Sequence, residues 1–204
     1  MTFDIDVLAT ILREAARAEA MPRFRRLDES MIKTKTEAID LVTEADVATE
    51  QVIKGRVAAW MPEALFVGEE SVAADPALLS RLADATLAVV VDPIDGTANY
   101  AAGLPLFATM AAVVSAGETI AGIIYDPMGD DWMLAEKGSG AWLRRPDGSS
   151  ARLHVADPLP LDQMVGTASV AYMPKESRPL ILQNTDKVRL VSNYRCAGHE
   201  YRTF

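Results

Sequence analysis

The chain has 204 residues, of which 50% are hydrophobic and 24% charged, with a net charge of −9. That length and apolar fraction suit one globular domain or a closely joined pair and exclude a disordered chain. The acidic balance excludes a nucleic acid polymer as a bulk partner, because phosphate backbones need a positive surface, but it leaves room for a small anionic ligand, since bound cations reverse a local potential.

A single cysteine, Cys196, excludes an internal disulfide framework and argues against a thiolate metal cluster. The opening MTFDIDVLAT carries acidic residues where a signal peptide carries basic ones, and no run of 18 apolar residues occurs. The expectation is a soluble cytoplasmic protein without membrane association.

From Asp4 to about Leu27, the apolar residues Val7, Leu8, Ile11, Leu12, Ala15 and Ala18 recur at helical spacing. MIKTKTEAIDLVTEAD reads as a hairpin or loop leading into a second helix, capped by Thr43, whose apolar positions are Val47, Val52, Val57 and Trp60. A short strand in ALFVGEE, a helical turn in PALLSRLA and a strand in ATLAVVVD follow. From Leu106 the texture changes to strands broken by Gly117, Asp126-Pro127, Gly138, Gly140 and Asp147-Gly148, which predicts an antiparallel meander. Beyond Pro160, LDQMVGTASV and KVRLVSNY read as strands, RPLILQNT as a helix and CAGHEYRTF as the start of another. The expected class is α+β, with helices packed on a largely antiparallel sheet.

The stretch VVVDPIDGTANY ends an apolar strand in two carboxylates, Asp92 and Asp95, with Gly96 able to turn the chain and Thr97 able to open a helix. Two carboxylates so close repel each other in a dry pocket unless hydrogen bonds or cations compensate, and magnesium prefers hard oxygen ligands. Glu69, ending the strand in LFVG, offers a third carboxylate if that strand lies beside the one ending in Asp92. The plainer reading of DPIDG is a turn, and that of GEES a solvated strand end. For Asp46 the local reading is a helix-capping acid in the turn begun by Thr43.

DLVTEAD (40–46), GEES (68–71) and DPIDGTANY (92–100), followed by GIIYDP and AEKGSGAW, resemble in order and separation the signatures of the inositol monophosphatase family, within the lithium-sensitive, magnesium-dependent phosphatases. The resemblance covers the chain well to about Ala156 and is fainter beyond it. It implies a layered α-β-α-β-α sandwich of the sugar phosphatase type, incomplete at the C-terminus. Residues 1–156 would form a metal-binding α+β region and 157–204 the start of a C-terminal α/β region. It further implies two or three Mg2+ ions held by Glu69, Asp92, Asp95 and the Ile94 carbonyl, with Asp46 and Thr97 activating the attacking water near Glu69. Gly96 and Thr97 would offer backbone NH groups to phosphate, while His199 and Glu200 stand where the family lines its substrate pocket. Lys35 matches a basic position near the family site, beside the plainer reading of a solvated lysine.

The implied activity is hydrolysis of a small phosphate monoester, with inositol monophosphate first and histidinol phosphate, fructose-1,6-bisphosphate or a 3'-phosphoadenosine phosphate as alternatives. A non-catalytic metal or sugar-phosphate binding protein is the rival reading, and a homodimer would match common family behaviour. The family's later WDxAAG-like segment, whose aspartate helps bind metal, has no match in this chain, so the expectation is a truncated or incompletely represented sequence, with a degenerate family member as the alternative.

Overall fold

A computed structural model describes residues 3–34, 41–170 and 173–203. The first helix is α1 (Ile5–Ala15), begun by Asp4, whose side chain accepts from the Asp6 NH. It continues through a π-helical turn at Ala16–Ala20 into α2 (Met21–Arg23), so the helix ends about four residues before the expected limit. The π turn shifts the phase of the helix. Ala16 and Ala20 become buried, while Ala18, expected on the apolar face, is exposed.

A 3-10 turn at Glu29–Met31 leads to β1 (Ile32–Thr34), which pairs antiparallel with β2 (Leu41–Thr43). Of the two expected readings, hairpin or loop, the antiparallel pairing fits the hairpin. Thr43 caps α3 (Glu44–Trp60) in a capping box with Asp46. The buried face of α3 differs from the expected one: Ala45, Asp46, Thr49, Glu50, Ile53 and Val57 point inward, whereas Val47 is exposed and Val52 and Trp60 are half-buried. Apolar residues alone could not reveal that face, because half of it is polar.

The main sheet has seven strands in sequence order: β3 (Leu65–Gly68), β4 (Leu87–Asp95), β5 (Ala108–Ser115), β6 (Glu118–Asp126), β7 (Asp131–Glu136), β8 (Gly140–Arg144) and β9 (Ser150–Leu153). Only β3 and β4 pair in parallel; the other five pairings are antiparallel, as the expected meander requires. The parallel pair needs a crossover, supplied by α4 (Glu69–Ala74) and α5 (Ala77–Asp84). Leu8 and Leu12 of α1 and Ile53 and Val57 of α3 share a core with Val89, Val91, Val113, Ile123 and Leu134 of the sheet. Each fully buried side chain of this kind stabilises the fold by about 1.5–3 kcal/mol.

After β4 comes α6 (Thr97–Ala101). Its Tyr100 packs edge-on against Phe107 at 5.0 Å, and the Tyr100 hydroxyl donates to the Ala20 carbonyl at 2.7 Å. Beyond the sheet, β10 (Val165–Thr167) and β11 (Leu190–Ser192) form a separate parallel pair joined through α7 (Arg178–Thr185), and α8 (Ala197–Tyr201) lies against β5. The architecture is a mixed α/β sandwich.

Candidate active site

Residues three apart on a regular strand point to opposite faces, which would separate Asp92 from Asp95. The pairing of β4 with β5 resolves this. Asp92 lies opposite Met110 and Asp95 opposite Ala108, so Pro93 and Ile94 together oppose Thr109 alone. This one-residue bulge restores the parity and brings both carboxylates to one face. Pro93, which has no NH to give a ladder, suits a bulge; the Thr109 hydroxyl donates to its carbonyl at 2.9 Å, and the Ile94 side chain is buried in the core.

Glu69 arrives from the neighbouring strand. Gly68 pairs with Val91 in the parallel register, so the next residues, Glu69 and Asp92, emerge side by side at the carboxyl end of the sheet. Burial pushes the Asp92 carboxyl well above the usual range, and the charges of Glu69, Asp95 and Asp46 add to that, as does a side-chain hydrogen bond with Glu69. Its Oδ1 is buried and, among the described residues, without a hydrogen-bond partner.

Asp46 comes from the first turn of α3 and is fully buried. Its Oδ2 accepts from the Thr43 NH at 2.9 Å and from the Thr43 hydroxyl at 2.5 Å. Its Oδ1 lies 3.1 Å from Thr97 Oγ1, which is also 3.0 Å from the Ile94 carbonyl oxygen. One hydroxyl proton serves only one of these acceptors at a time. Burial pushes the Asp46 carboxyl up to about 7, the bonds from Thr43 and Thr97 oppose the rise, and the charge of Glu70 adds to it.

Gly96 joins the bulge to α6 with φ 88°, in the left-handed region. A Cβ there would stand 2.9 Å from the Leu106 carbonyl oxygen, so glycine is required by space as well as by backbone. The start of α8 closes against Asp95: its Oδ2 accepts from the Gly198 NH at 2.6 Å and its Oδ1 from the Ala197 NH at 3.1 Å, and Cys196 Sγ lies 3.0 Å from Oδ2. Burial, reinforced by Asp95, drives the Cys196 thiol far above its ordinary range, which removes it as a nucleophile at neutral pH.

Glu69, Asp92, Asp95, Asp46 and Thr97 are therefore brought together. His199 and Glu200 stand on α8, each with one polar atom on backbone: His199 Nε2 is 3.2 Å from the Phe107 carbonyl oxygen, and Glu200 Oε1 accepts from the Tyr194 NH at 2.9 Å. Lys35 lies outside the described residues. Sequence reasoning missed three supporting residues. Glu50 holds the start of α4, Thr109 holds the bulge, and buried Asn99 donates to the carbonyls of Leu106 and Tyr194 at 2.9 and 2.6 Å. Only Glu50 carried a signal, lying four residues after Asp46 and so on the same helix face.

Among the described residues no three His, Cys, Asp or Glu side chains converge, as they stand, into a group that could hold a metal ion. The chemistry of the donors nevertheless fits a divalent cation. An orphaned, buried carboxylate oxygen on Asp92, pressed by neighbouring carboxylates, is a hard donor whose cost a cation would offset.

Comparison with known proteins bears on the family and the fold. The inositol-1-monophosphatase of Caulobacter vibrioides is 33% identical over 177 residues, covering 86% of this chain and 64% of that protein. The histidinol-phosphatase of Streptomyces coelicolor is 35% identical over 170 residues, covering 81% and 58%. The chain thus spans about three-fifths of the length of these curated relatives. The crystal structure of the extragenic suppressor protein suhB from Bartonella henselae superposes with a TM-score of 0.76 at 28% identity, over 95% of this chain and 70% of that one. The model of the inositol monophosphatase family matches residues 4–199, and the chain belongs to that family.

Proposed function

We propose that the protein hydrolyses a small phosphate monoester, using a divalent cation and an activated water. The observation that carries this reading is the buried Oδ1 of Asp92, without a partner among the described residues and crowded by the carboxylates of Glu69, Asp95 and Asp46 beside the Thr97 hydroxyl. Glu69, Asp92, Asp95 and the Ile94 carbonyl would hold magnesium, two or three ions in all, which lowers the pKa of bound water and neutralises charge on phosphate.

The chain's own residues supply the rest. Thr97 Oγ1 accepts from the attacking water while passing its own proton to Asp46 Oδ1, whose affinity for a proton near neutral pH suits a general base. The two bonds from Thr43 keep Asp46 aimed at Thr97. Backbone NH groups of Gly96 and Thr97 would bind phosphate oxygens, and the α8 turn carrying His199 and Glu200 would border the alcohol part of the substrate. No phosphoenzyme is needed, in keeping with the inert Cys196 thiol.

Inositol monophosphate is the first substrate, although the similarity extends equally to a histidinol-phosphatase. The test is phosphate release from inositol monophosphate, histidinol phosphate, fructose-1,6-bisphosphate and 3'-phosphoadenosine phosphate, with and without magnesium and lithium. Release that requires magnesium and falls with lithium is expected. Magnesium-dependent binding of these compounds without release would overturn the catalytic reading in favour of a binding protein.

A further inference from the structure

Glu50 is fully buried on α3, outside the reacting group of side chains. Its Oε2 accepts from the Glu70 NH at 2.7 Å, and its Oε1 accepts from the Ser71 NH at 2.8 Å and the Ser71 hydroxyl at 2.6 Å. The first turn of a helix has NH groups without intrahelical partners, and here a side chain from another helix satisfies two of them. Space has been cleared for this carboxylate: a Cβ on Gly68 would overlap it. Gly68 is also the last residue of β3, paired with Val91, and Glu69 is the first residue of α4.

We infer that Glu50 is the positioning residue of the acidic site: by holding the amides of Glu70 and Ser71 it fixes the strand-to-helix corner from which Glu69 meets Asp92. This rests on the proposed function, in which Glu69 is a cation ligand. Asp46 and Glu50 are one helical turn apart on α3. One helix face thus sets both halves of the site, Asp46 directing Thr97 and Glu50 directing Glu69. The carboxylate accepts hydrogen bonds from all three donors at once, whereas an amide turns its NH2 group toward at least one of them.

The test is isothermal titration of the purified protein and its variants with Mg2+ alone. Glu50→Gln and Gly68→Ala disturb the same corner from its two sides, and each is expected to weaken magnesium binding about ten- to a hundred-fold, the usual effect of removing a residue that orients a ligand. Ser71→Ala removes one of three donors and should give a smaller loss in a protein that folds readily. Val57→Ala, a cavity in the same helix away from the corner, should lower the melting temperature and leave magnesium affinity unchanged. Folded variants that bind magnesium like the parent would overturn the positioning role while leaving the proposed function standing. A parent that binds no magnesium would overturn both, and equal loss in Val57→Ala would reduce Glu50 to general support of the fold.

Discussion

Asp46 is fully buried, and its hydrogen bonds from Thr43 and Thr97 only partly offset the loss of water around its charge. Its folded pKa of about 7 stands above the ordinary 3.8, so the contribution of Asp46 to the stability of the cation-free protein is full below about pH 4 and is lost as pH rises through about 7. An amide at this position has no charge to desolvate. Asp46→Asn should therefore melt higher than the parent at about pH 8, have a flatter stability profile between about pH 4 and 8, and lose turnover. Thermal melts across that range check this, and parallel profiles in parent and variant would contradict it. The role of Asp46 as a cap was legible in the spacing Thr43-x-x-Asp46. The contact of its other oxygen with Thr97, 51 residues away, was carried only by the family resemblance.

At the scale of elements, the β4 bulge decides whether two aspartates three residues apart can act together. Its lock is the Thr109 hydroxyl on the Pro93 carbonyl. Thr109→Val keeps the shape and removes the donor, so it should cost about 1 kcal/mol of stability and weaken magnesium binding as the carboxylates lose their alignment. Denaturant unfolding and metal titration read the two effects; an unchanged metal affinity would show that the bulge holds without Thr109. The strands themselves were readable from their β-branched runs and glycine-rich turns. The bulge was not, because it depends on the register with β5, a long-range pairing that local pattern does not encode. The polar inward face of α3 was hidden for a related reason, since Asp46, Thr49 and Glu50 look like surface residues until their partners are known.

Across the whole molecule, burial is uneven. Val89, Val91, Val113, Ile123 and Tyr125 are buried at the centre of the seven-stranded sheet, whereas α7 has no buried residue and exposes Leu180 and Leu182. Regions with few buried contacts open locally at lower free energy. Backbone amides of α7, β10 and β11 should exchange with deuterium well before those of β4, β5 and β6, and comparable protection in both sets would contradict this ranking. The tethering of α8 is chemical as well as apolar: its start donates two NH groups to Asp95, and Gly198 sits where a Cβ would stand 2.8 Å from that of Ala108. The closeness of α8 to the acidic residues was foreshadowed only by the family resemblance, since nothing in CAGHEYRTF itself points to Asp95.

If these carboxylates form a cation-dependent phosphatase site, magnesium-dependent phosphate release must depend on Asp95, and the measurement to make is that release by Asp95→Asn. Both Asp95 oxygens accept NH groups from the start of α8, so turnover is compared only once circular dichroism and the melting temperature record a folded variant. Turnover of a phosphate monoester is expected in the parent and lost in this variant. Turnover by the variant close to the parent's would contradict it.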